Sequence, residues 1–207
     1  MSLFTKHVPP EVADRVPPGQ RLVKTWPVLH YGPVPKFDGT DWDLEVSGLV
    51  DSPFTLSYRE LRDLPNVTVD ADMHCVTGWT TLDNTWEGVS FSTIMEMAKP
   101  QPEAKWVIAR CAYGYTSNLS LQAMADDDVL LAWRNHGQDL EPDHGWPLRL
   151  VVPKRYAWKS AKWLTGLDFS AKNTRGFWEV RGYHIHAEPF AEERYTHQEG
   201  RGAELEA

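Results

Sequence analysis

Apolar and polar positions alternate in two clear stretches, "WDLEVSGLV" (42–50) and "VTVDADMHC" (67–75), and each pattern predicts a strand. Four further apolar segments also read as strands: "KWVIARC" (105–111), "VLLAWR" (129–134), "PLRLVVP" (147–153) and "AKWLTGLDF" (161–169). Three segments read as helices. "TLSYRELRDLP" (55–65) has a Thr able to cap, Leu at helical spacing and a closing Pro; "SFSTIMEMAK" (90–99) is a capped amphipathic pattern; "LSLQAMA" (119–125) is short. "TWPVLHYGPVPKF" (25–37) holds too much Pro and Gly for regular structure and predicts an extended surface loop. After "VTVDADMHC" only a turn, "VTGW", is assigned. Short helices among many strands, without regular βαβ alternation, predict an α+β domain with mixed sheets.

The chain of 207 residues is long enough to bury one full core, and its 42% hydrophobic and 24% charged content is that of an ordinary globular domain. Residues 1–20 and 196–207 are polar, Pro-rich or charged and are expected to be loosely held arms around a domain at 21–195. Ten Trp suggest a broad aromatic-lined surface or pocket, or a heavy core. A formal net charge of -8 argues against a general nucleic-acid surface, so any anion site must be local. No secretory signal pattern and no run of about 20 apolar residues is seen, and a cytoplasmic protein without a membrane span is expected. Cys75 and Cys111 lie far apart with no C-x-x-C, which excludes a zinc ribbon, a thioredoxin motif and a c-type haem site; a disulfide does not suit a reducing cytoplasm.

Three constellations carry possible chemistry. Cys75 ends a strand at a sheet edge, and the turn after it would hold the sulfur at a loop mouth, as a soft metal ligand or nucleophile; the plainer reading is a small core residue. "HGWPLRLVVPKRYAWKSAKWL" (144–164) gathers His144, Arg149, Lys159, Ser160 and Lys162 within an apolar and aromatic segment. Arg149 must be paired there or face a ligand, and Arg, Lys, hydroxyl and turn N–H groups together suit a phosphate. In "FWEVRGYHIHAEPF" (177–190), His184 and His186 would share one strand face and could bind a metal, although no Cys or carboxylate completes a zinc pattern. A G-x-S-x-G elbow, a Walker loop and G-x-G-x-x-G are absent.

Taken together, "HCVTGW", "GYTSNLSL", "HGWPLRLVVPKRYAWKSAKWL" and "GFWEVRGYH" resemble, in order and spacing, the molybdopterin-binding domain of the sulfite oxidase family, over residues from about 26 to 195. The resemblance implies the sulfite oxidase-type fold and a molybdenum cofactor with Cys75 as the only protein ligand to the metal. It implies that His144, Arg149 and the turn of Ser160, Ala161 and Lys162 grip the pterin and its phosphate. It also places His30, Tyr31 and Cys111 against the cofactor, and Tyr183 as the active-site tyrosine. Two positions depart from the family pattern: Leu29 stands near the place of an oxyanion-binding Arg, and Tyr113 where an Asp is common. The family's immunoglobulin-like dimerisation domain is not seen after Tyr195, which predicts a monomer.

The implied function is a molybdenum oxidoreductase that transfers an oxygen atom in a two-electron reaction, acting on a small oxyanion or on an S-oxide or N-oxide. Without a haem or iron–sulfur motif, a separate electron-transfer protein is expected as partner. The alternatives are a non-catalytic cofactor carrier or ligand-binding protein and, last, a zinc hydrolase built on His184 and His186.

Overall fold

The computed structural model describes residues 8–38 and 40–200. In chain order they form β1 (Arg21–Leu22), β2 (Asp43–Gly48), β3 (Phe54–Ser57), α1 (Tyr58–Arg62), β4 (Val67–Cys75), β5 (Trp79–Ser90) and α2 (Phe91–Ala98). β6 (Trp106–Cys111), β7 (Thr116–Ser120), α3 (Leu121–Met124), β8 (Leu130–Asn135), β9 (Gln138–Asp139), β10 (Arg149–Val151) and β11 (Leu164–Ser170) follow. β5 is the spine of a six-stranded sheet: β4 runs antiparallel along one edge, while β1 and β8 share the other, and β8 continues the sheet through β10 and β9. The second sheet has the order β3-β2-β11-β6-β7, with β2 and β11 parallel and the other pairs antiparallel.

The main core lies between the sheets. Leu44, Val46, Val107, Leu167 and Phe169 come from one, and Val89, Leu131, Trp133 and Leu150 from the other, with Phe91 and Ile94 of α2 packed among them. The six-stranded sheet is covered on both faces, because Leu130, Ala132 and Val151 point away from that core into a second cluster with Trp79 and Trp86. This explains the unbroken apolar run of β8. Trp42, Trp86 and Trp133 are almost fully buried, and at about 25 cal/mol per Å² each contributes on the order of 5 kcal/mol as an upper estimate.

All six predicted strands and all three predicted helices are present, with shifted ends. Ser57, rather than Thr55, caps α1: its side chain accepts from the Glu60 amide and Glu60 returns the bond, while Thr55 belongs to β3. β5 and β7 were not predicted, because both bury polar side chains. In β5, Asn84 donates to Thr81 Oγ1 and Thr80 pairs with His74; in β7, Ser117 and Asn118 are fully buried.

Neither chain end is a loose arm where it is described. A 3-10 turn at Pro10–Arg15 docks on the β4–β5 hairpin through Arg15, which pairs with Asp72 and Asp83 at 2.6 and 2.7 Å, and Val16 and Gln20 are buried. At the other end Glu199 pairs with Arg175 and accepts the Ile185 amide. Residues 1–7 and 201–207 lie outside the described residues. Among those described, no helix is long and apolar enough to cross a membrane.

Candidate functional site

Cys75 is the last residue of β4 and pairs with Trp79, so only Val76, Thr77 and Gly78 close the hairpin into β5. Gly78 sits at φ 89° and its amide returns to the Cys75 carbonyl at 2.9 Å, a tight turn that a side chain would strain. The turn aims the Cys75 sulfur into a cavity of about 320 Å³. Thr77 Oγ1 donates to that sulfur at 3.2 Å. Burial pushes the thiol pKa up, opposed by the Thr77 hydrogen bond and the Arg194 charge.

One part of the cavity is cationic. An isolated bridge sets Arg149 opposite Lys162, which puts the two cations side by side. Arg149 donates to the carbonyls of His144 and Ser160 at 3.0 and 2.9 Å, and its guanidinium lies against the rings of both Trp26 and Trp86, which meet edge to face. Its Nε is buried without a hydrogen-bond partner among the described residues. Lys162 donates to the Asp143 carbonyl at 2.7 Å, and His144 stacks on Trp26 with ring centroids 4.4 Å apart. Burial lowers the pKa of all three basic groups: Arg149 to about 9; Lys162 to about 7, with help from Arg149; and His144 below its ordinary value. An anion placed between them would restore the charge that burial disfavours.

The wall beside Cys75 is aromatic. Tyr183 packs on Trp158 and Trp178 at 4.9 and 5.3 Å, and burial, then Tyr195 and Cys75, raise its pKa. Tyr115 closes the back of the cavity, donating to the Trp158 carbonyl at 2.8 Å. His30 and Tyr31 of the long loop stand at the mouth, the first against Trp163 and the second over Phe177, with Tyr31 about half exposed.

The structure therefore brings nine of the candidate residues onto one cavity: His30, Tyr31, Cys75, His144, Arg149, Ser160, Ala161, Lys162 and Tyr183. Ser160 meets it only in part, because its Oγ accepts the Val152 amide and its carbonyl accepts from Arg149. Cys111 does not line it; the thiol is buried in the main core and burial drives its pKa far up. Lys159 turns away into a fully buried ion pair with Glu179 and also donates to Asn118.

His184 and His186 leave the strand geometry expected of them. They lie in irregular chain with rings 5.8 Å apart, and His184 Nδ1 accepts the amides of His186 and Ala187. No metal-ligating cluster of three or more His, Cys, Asp or Glu occurs among the described residues, which removes the zinc-site expectation. Sequence reasoning missed Trp26, Thr77, Tyr115, Trp158 and Trp163 as lining residues. For the Trp the high Trp content was a signal, and five of the ten Trp line this cavity; Thr77 and Tyr115 stand inside the motifs "HCVTGW" and "GYTSNLSL".

Comparison with known proteins bears directly on this cavity. The chain is 44% identical over 194 residues to the uncharacterized oxidoreductase YuiH of Bacillus subtilis (strain 168), covering 93% of this chain and 98% of that one. It is 28% identical over 160 residues to the protein-methionine-sulfoxide reductase catalytic subunit MsrP of Campylobacter jejuni, covering 69% of this chain and 54% of that one. Among solved structures, the sulfane dehydrogenase SoxCD of Paracoccus pantotrophus superposes with a TM-score of 0.68 at 25% identity, over 74% of this chain and 44% of that one. The α+β fold with two mixed sheets and few helices is thus of the sulfite oxidase type. The family model described as the oxidoreductase molybdopterin binding domain matches residues 31–178, a span that holds the thiol, the three basic groups and most of the aromatic wall. The chain belongs to that family of molybdopterin-dependent oxidoreductases.

Proposed function

We propose that the cavity holds a molybdenum–pterin cofactor and that the protein transfers an oxygen atom in a two-electron reaction on a neutral S-oxide or N-oxide. The observation that carries this reading is that one cavity joins a soft thiol, Cys75, to a basic end made of His144, Arg149 and Lys162, with no carboxylate among the described residues that line it. The residues suit the group. A thiolate is a proper ligand for a soft, sulfur-bound metal, and the buried Arg149 Nε offers a donor to a phosphate. Trp26 and the loop residues His30 and Tyr31 would flank the pterin rings.

When bound, the metal supplies the two-electron redox step and the exchange of oxygen. The chain's own part is to bind, orient and exclude water. The Tyr183 phenol stays protonated at neutral pH and can donate a hydrogen bond to an oxygen of the substrate. Tyr183 packs on Trp158 and Trp178, and among the described lining residues Arg149 and Lys162, the Lys and Arg present, donate to backbone carbonyls. Such a wall favours a neutral oxide with apolar substituents over an oxyanion. The sulfoxide reductase relative supports this choice, and its description as a catalytic subunit supports a separate protein as the source of electrons.

The test is the metal and pterin content of protein purified from a host that makes the cofactor. The wild type is expected to hold close to one molybdenum and to reduce S-oxides or N-oxides with reduced viologen, and a Cys75→Ser variant to lose most of the metal. Absence of molybdenum from the wild type, or full metal in Cys75→Ser, would overturn the reading. Molybdenum without turnover on sulfite, S-oxides or N-oxides would favour the carrier alternative.

A further inference from the structure

A three-residue hairpin tip is ordinarily among the more mobile parts of a sheet, whereas a metal ligand has to be held to within about 0.5 Å. Two side chains from distant segments grip the tip that carries Cys75. The Cys75 carbonyl accepts from the Gln20 side-chain amide at 3.1 Å, and the next carbonyl, Val76, accepts from Arg194 Nη1 at 2.6 Å. Gln20 is buried, and the Arg194 side chain is 17% exposed.

Arg194 is itself fixed. Its guanidinium lies over the Tyr156 ring at 5.1 Å, and Nη2 reaches the Pro18 carbonyl at 3.5 Å and Glu192 at 3.7 Å. The grip therefore ties the segment before β1, the segment near residue 194 and the hairpin into one unit. Neither Gln20 nor Arg194 lines the cavity.

The two carbonyls belong to successive peptide planes, Cys75–Val76 and Val76–Thr77, and the Cys75 carbonyl also accepts the Gly78 amide. Holding both planes fixes the turn from which the Cys75 side chain leaves the backbone. We propose that Arg194 and Gln20 are positioning residues that set the Cys75 sulfur toward the cavity. The functional consequence rests on the reading of Cys75 as metal ligand; the grip itself does not.

Hydrogen exchange in cofactor-free, full-length protein tests the grip. Arg194→Met and Gln20→Leu are each expected to speed exchange at the amides of Val76, Thr77 and Gly78 by about tenfold, the loss expected for one such hydrogen bond, while β6 and β7 exchange as in the wild type. Arg194→Lys, which keeps a charged donor, is expected to restore most of the protection. In cofactor-loaded protein, Arg194→Met is expected to shift the visible absorption of the metal–sulfur unit, and Arg194→Lys to return it.

Unchanged hairpin exchange in both Arg194→Met and Gln20→Leu overturns the proposal. Faster exchange with an unchanged absorption spectrum and metal content also overturns it, because the two residues would then only fasten the chain. Should Arg194→Met fail to fold, the neutral change Gln20→Leu carries the same test. If the wild type holds no molybdenum, the proposed function falls, and the exchange measurement still decides whether the grip exists.

Discussion

Lys159 and Glu179 form an ion pair with almost no contact with water, and Glu179 also accepts from Trp158 Nε1. The pair joins the turn that carries Ser160 to the segment that carries Trp178, so it spaces the cationic end from the aromatic wall. Burial lowers the Lys159 pKa, and the Glu179 carboxylate opposes that shift. Lys159→Met is therefore expected to cost about 3–5 kcal/mol in urea unfolding, because it strands a buried carboxylate. The double change Lys159→Met with Glu179→Leu should recover most of that loss. Lys162 behaves differently. Its folded pKa of about 7 lies below the ordinary value of 10.5, so between pH 7 and 9 the unfolded chain binds more protons than the folded one. Stability of the cofactor-free protein is expected to rise with pH across that window, and Lys162→Met to flatten the slope in denaturant titrations.

β5 shows what the pattern of side chains could and could not reveal. Its neighbours β4 and β8 are plain in the sequence, since one alternates and the other is an apolar run, but β5 itself is interrupted by Thr80, Thr81, Asp83 and Asn84. Those polar groups make side-chain bonds, Thr80 to His74, Asn84 to Thr81 and Asp83 to the distant Arg15, and Asp83 takes a positive φ where the β4–β5 register shifts. The register between β5 and β8 shifts again at Gly88, whose missing side chain lets the Leu131 carbonyl approach directly. Gly88→Ala must push the strands apart and is expected to destabilise the fold by about 3 kcal/mol, read as a lowered urea midpoint. The same limit applies at the site. Cys75, Arg149 and Lys162 stand out as reactive groups in apolar surroundings, whereas Trp26 and Tyr115 look like any core aromatic until the fold brings them to the cavity. Cys111 is the opposite case, a reactive residue type that the packing of β6 hides in the core. The hidden paired lysine, Lys159, could not be told from its cavity-facing neighbour Lys162, because the direction of a turn is set by tertiary contacts.

At the scale of the molecule, the two sheets share one core, and the cavity is lined by Cys75 at the β4–β5 hairpin of the first and by Tyr115 at the β6–β7 connection of the second. The long irregular loop of residues 25–37 and the segment around Tyr183 complete the walls, so every wall comes from a different stretch of chain. Arg15, Gln20 and Arg194 then bind the two outer segments onto the hairpin. Synthesis runs from one of those segments to the other. The cysteine leaves the ribosome with its glutamine support already made, but the arginine that also holds its hairpin lies far downstream in the chain. A nascent chain therefore cannot hold both carbonyls of the hairpin tip until that arginine has emerged, and loading of the prosthetic group belongs after that point.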